Sequence, residues 1–126
     1  MDTSKLIGLA AGSLAGGFAR YFLAGMAYRV FGTGFPHGTF VVNMSGCLLI
    51  GLLDGLAEEK FLLGPNARLL LMIGFCGAFT TFSTLILETN NLLKDGEILR
   101  AVLNAGGSLL LGLVLLRLGM ALGKLI

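Results

Sequence analysis

The chain has 126 residues, of which 56% are hydrophobic and 13% charged, with a formal net charge of +2 and a mean hydropathy of +0.90. A soluble domain carries about 25% charged residues, so a water-soluble enzyme or binding module is excluded, and so small a net charge gives no footing for nucleic acid. Two cysteines, Cys47 and Cys76, both in apolar runs, are too few for a disulfide framework and read as small buried thiols.

Crossing a bilayer takes about 20 apolar residues. Four such runs predict spans at 6–30, 38–57, 67–93 and 98–125 of a single domain over 1–126. The expected fold class is an all-α membrane protein with four transmembrane helices. The first run is too long for a signal-peptide core and lacks a clear cleavage site, so it is expected to stay as a span. Gly8, Gly12 and Gly16, four apart, predict a close helix contact on one face, and Gly51/Gly55 and Gly119/Gly123 repeat the spacing. Arg20 lies within this span, where it lines an aqueous vestibule or snorkels to the interface.

The first connection, 32–37, is punctuated by Gly and Pro; His37 there is expected to be solvated and idle. Asn43 sits five residues into the second span, and Asp54 near its end pairs by expectation with Arg117 on the parallel fourth span. The second connection contains Glu58, Glu59 and Lys60, with Pro65-Asn66 as a helix start. The third is Lys94-Asp95-Gly96-Glu97. With four spans and short links, one side receives Lys5, Lys60, Arg68, Arg117 and Lys124 and the other Arg20, Arg29, Lys94 and Arg100. Orientation follows a bias in positive charge, and five against four is almost none. Insertion in both orientations, and hence an inverted dimer, follows unless other factors fix one orientation.

The third span carries the most informative stretch, GFCGAFTTFSTL at 74–85. As one helix the span would be about 40 Å long in an apolar layer about 30 Å thick, which puts residues 77–81 near the midplane. Glycine permits non-helical backbone, and Thr and Ser are good N-caps. The pattern predicts a helix stopping near Cys76–Gly77 and another starting near Thr80–Thr81. The alternative is a continuous helix whose hydroxyls bond back to the preceding turn. An unwound segment is tolerable only when buried in protein or lining a cavity, where its carbonyls suit a cation and its helix N-terminus an anion. No carboxylate lies between Gly74 and Leu87, so the carbonyls suit a monovalent cation better than a divalent one. Thr80, Thr81, Ser83 and Thr84, with Asn43 and the same-face pair Asn104 and Ser108, form either a polar track or interhelical packing bonds. Phe79 and Phe82 add ring edges of positive character. Glu88, two turns past the break, is expected near water.

These residues resemble a known family. Gly12, Gly16 and Arg20-Tyr21 on the first span, Gly38-Thr39 and Asn43 on the second, Gly77, Thr80-Thr81-Phe82-Ser83-Thr84 and Glu88 on the third, and Asn104 and Ser108 on the fourth are similar to the small bacterial fluoride channels called Fluc or CrcB. The resemblance implies a multi-pass inner-membrane protein that forms an antiparallel, dual-topology homodimer and passes fluoride out of the cell. It implies a structural sodium ion (Na+) at the dimer centre, held by the main-chain carbonyls of Gly77 and Thr80. It places Arg20, Asn43, Phe82, Ser83, Thr84, Glu88, Asn104 and Ser108 along the anion pathway. Leu85, Ala78 and Gly112 depart from what is common in the family, where a second phenylalanine, a second glycine and, in some members, a polar side chain stand. Two rivals are a four-span proton-coupled multidrug exporter and a non-transporting assembly subunit. The exporter wants a carboxylate deep in the first helix, which here has only Asp2 outside it. The subunit has no need of a broken third span. No nucleophile–base pair and no zinc motif points to an enzyme.

Overall fold

The structure is a computed structural model that describes residues 2–58 and 60–126; Met1, and Glu59 of the second connection, lie outside the described residues. Helix α1 (Thr3–Phe31) starts on Asp2, whose carboxylate accepts the Lys5 N–H at 2.8 Å, and stops at Gly32, which takes φ +85°. Such a φ is nearly closed to side-chain-bearing residues. Helix α2 (His37–Glu58) follows Pro36. The third span starts on Gly64 with Pro65 in its first turn, where the missing N–H costs nothing. Its first half, α3 (residues 65–79), runs through a π-wound segment at Leu69–Cys76, and its second half is α4 (Phe82–Lys94). Gly96, at φ +76°, ends α4, with its N–H on Leu93 and that of Glu97 on Leu92. Helix α5 (Ile98–Leu125) completes the chain.

Among the described residues four helices are long and apolar enough to cross a membrane, α3 and α4 forming one span together. Their large apolar side chains point outward: Phe18, Phe22, Leu110 and Val114 are all exposed. That much apolar surface is untenable in water and matches a lipid-facing exterior.

The helices meet through glycine. On α2 and α5 the seam is reciprocal. A Cβ at Gly51 or Gly55 would run into the Leu116 or Met120 carbonyl, and one at Gly119 or Gly123 into that of Leu48 or Leu52. The two helices therefore run parallel with backbones touching, as the repeated spacing predicts. Gly12 and Gly16 do the same for α1 against Leu70 and Phe75 of α3. Gly8 departs from expectation: nothing lies within 4 Å of its missing side chain.

Three further expectations are corrected. Among the described residues Asp54 and Arg117 form no ion pair; the α2–α5 seam turns Arg117 to the exterior, and Glu58 near this end pairs with Arg68 at 2.7 Å. Arg68 also donates to the Ala57 and Leu63 carbonyls, tying the second connection down. His37 is not idle in water but half-buried, its ring 5.3 Å from that of Phe31 and 5.1 Å from that of Phe35. Cys76 is buried as expected, while Cys47 is only half-buried; both are free.

Candidate functional site

The third span is bent and interrupted at Thr80 (φ −93°, ψ 161°) and Thr81 (φ −151°, ψ 120°), both extended. The break comes later than the glycine suggests. Gly77 is fully helical (φ −62°, ψ −39°) and the helix runs on to Phe79. A side-chain amide, and not glycine flexibility, holds the chain open. Asn43 of α2 accepts the Thr81 N–H at 2.8 Å and donates to the Thr81 carbonyl at 2.9 Å, as a neighbouring strand would. Thr80 does bond back, its hydroxyl reaching the Cys76 carbonyl at 2.9 Å, yet the helix still ends. Gly46 makes room: a Cβ there would meet the Thr80 methyl.

This arrangement strips the carbonyls ahead of the break of their helical donors, those of Gly77 and Thr80 among them. In an unbroken helix the N–H of residue i bonds the carbonyl of i−4. Thr81 N–H would serve Gly77, but it goes to Asn43. Thr84 N–H would serve Thr80, but it is capped by the Thr81 hydroxyl at 3.3 Å. Gly77 is also on the exposed face of this chain, with nothing within 4 Å of its missing Cβ. Neutral main-chain oxygens freed in this way are of the kind that coordinates a sodium ion.

Two cavities flank the break, and Thr81 lines both. The larger, about 860 Å³, brings together Arg20, Arg29, Thr39, Thr84 and Glu88. There Thr39 donates to Glu88 Oε1 at 2.6 Å, and Glu88 Oε2 is buried with no hydrogen-bond partner among the described residues. Glu88 is thus half-buried against α2 and does not stand in open water. The other, about 570 Å³, is lined by Asn43, Phe82, Leu85, Ser108 and Gly112. Phe82 is 75% exposed there. One turn from Ser108, Asn104 is 1% exposed and donates to Thr89 Oγ1 at 3.0 Å. Asn104 Oδ1 and Ser108 Oγ are buried and have no hydrogen-bond partner among the described residues.

Not every expected residue converges. Ser83 points to the exterior and lines neither cavity. Phe79 is buried and stacked on Phe75, 5.5 Å between centroids. Nothing in the local sequence marks Thr39 or Thr89 as partners of Glu88 and Asn104, although both are hydroxyls inside apolar spans. The π-wound segment is equally silent, an unbroken apolar run in which the close approach of Gly74 to the Leu9 carbonyl is the one available sign.

Four lipid-facing spans and a backbone break clamped by a buried amide define a small multi-pass membrane protein. Comparison with known proteins gives the particular group. Residues 7–120 match the family described as CrcB-like protein, Camphor Resistance (CrcB), and the chain belongs to this family. It is 50% identical over 122 residues to the fluoride-specific ion channel FluC of Maridesulfovibrio salexigens, covering 97% of each chain. It is 50% identical over 126 residues to the FluC of Nitratidesulfovibrio vulgaris, covering 100% of both, and 52% identical over 125 to that of Chlorobaculum tepidum, covering 99% and 97%. The family resemblance read from residues of all four spans is borne out.

Proposed function

We propose that this protein is a fluoride-selective channel through which the anion leaves the cell passively. The observation that carries this reading is the end-to-end likeness to relatives named fluoride-specific ion channels. The geometry supports it. Fluoride is small and strongly hydrated, so a path for it must replace water with donors. Arg20 and Thr84 line the larger cavity, where the guanidinium would attract an anion, and Ser108 carries a buried hydroxyl with no partner among the described residues. In the low-dielectric interior such groups act far more strongly than in water. Hydrogen fluoride crosses membranes as a neutral acid and ionises in a less acidic cytosol, so an open path for the anion suffices to release it.

The reading includes two copies in antiparallel orientation. The near-even split of positive charge supports both orientations, and a second copy would cover the open face at Gly77. The Gly77 and Thr80 carbonyls of each copy would hold a sodium ion, which would supply fixed positive charge between the two paths. Purified protein in liposomes is expected to give fast, electrogenic fluoride efflux, read by a fluoride electrode, with chloride excluded. Transport of drug cations, or no flux of any ion, would refute the reading.

A further inference from the structure

Asn104, Ser108 and Gly112 follow one another at intervals of four along the buried face of α5, about 5–6 Å apart. The first two carry buried oxygens that no group among the described residues satisfies. The third has no side chain. Its space is held instead from α2: a Cβ at Gly112 would stand 3.2 Å from Cys47 Sγ and 3.4 Å from Met44 Cε. The Cys47 thiol is free and makes no hydrogen bond among the described residues. It lines the same cavity as Ser108, which is 6% exposed with its Oγ unpartnered. Of the two sulfur groups at this point, only the thiol has a proton to donate; the Met44 thioether is an acceptor.

We propose that the Cys47 S–H is an anion-binding group. It continues the Asn104–Ser108 line by one turn, supplied from α2 because α5 has only a glycine there. Gly112 is then a positioning residue that leaves the thiol its place. The proposal rests on the fluoride-channel reading. A thiol is a weaker donor than a hydroxyl, so its loss is expected to slow passage and not to abolish it.

The test is fluoride efflux from liposomes. Cys47→Ala is expected to lower the rate about three- to tenfold, the scale of one lost hydrogen bond, and Cys47→Ser to recover most of that loss. Adding Gly112→Ser to Cys47→Ala returns a donor to the same space from the other helix and is expected to restore the rate. Adding Gly112→Ala returns volume without a donor and is expected not to. Equal restoration by both, or wild-type rates in Cys47→Ala, would overturn the proposal. A readout on already folded protein accompanies the variants: capping the Cys47 thiol with methyl methanethiosulfonate in a Cys76→Ser background. A fall in flux relative to that background is expected, and unchanged flux at full modification would overturn the proposal. No fluoride efflux from the wild type would overturn the channel reading and this inference together. Wild-type efflux indifferent to every change at Cys47 overturns this inference alone.

Discussion

Replacing Asn43 by Ala tests what keeps the third span open. The substitution removes the acceptor of the Thr81 N–H and a donor to the Thr81 carbonyl. The two losses are unequal. As N-cap, Thr81 already offers its carbonyl to the first bond of α4, so that oxygen keeps a partner. The N–H does not, and an orphaned buried donor costs about 1–3 kcal/mol. Hydrogen bonds between spans average only about 0.6 kcal/mol where released groups find new partners. The partner a continuous helix would give it is the Gly77 carbonyl, and reaching it means abandoning φ −151° at Thr81. We therefore expect Asn43→Ala to lose about 2 kcal/mol, measured by reversible unfolding in mixed detergent micelles. Fluoride efflux falls in either case, because the N–H is left bare or the freed carbonyl is taken back. A loss below about 0.5 kcal/mol with wild-type efflux would refute the reasoning, since it falls within the range of a neutral surface change.

Four further outcomes are expected. Gly119→Ala drives a methyl into the Leu48 carbonyl and should cost about 1–3 kcal/mol through forced helix separation, read in the same unfolding assay. Thr81→Val removes the cap on the Thr84 N–H and should cost about 1 kcal/mol, with a matching drop in the unfolding midpoint. Phe82→Ile should slow fluoride efflux while leaving helicity and elution volume unchanged, because the ring is exposed and holds no core together. Exchanging sodium for N-methyl-D-glucamine during purification should lower efflux and restore it on sodium return, if the Gly77 and Thr80 carbonyls hold the ion; sodium-independent efflux would remove that part of the reading.

Periodicity and composition made the spans legible, because lipid demands long apolar runs whatever their partners. The interruption was legible to within a few residues, since Thr-Thr is a start signal. Its cause was not. Asn43 lies 38 residues from Thr81, and no local pattern reports a hydrogen bond across that separation. For the same reason Gly12 and Gly16 could not be told from Gly8, nor the Asp54–Arg117 pair from the Glu58–Arg68 one: each depends on which faces meet. Ser83 shows the limit for the candidate site. It sits among hydroxyls in sequence, yet a helix turns each successive residue by about 100°, and Ser83 points outward.

Helix α2 touches everything that matters here. Asn43 grips the break, Thr39 holds Glu88, and Gly51 and Gly55 lock against α5, which carries Ser108. A slide or tilt of this one rod would shift all three settings at once, so a bilayer whose thickness tilts α2 would disturb the break, Glu88 and the α5 seam together.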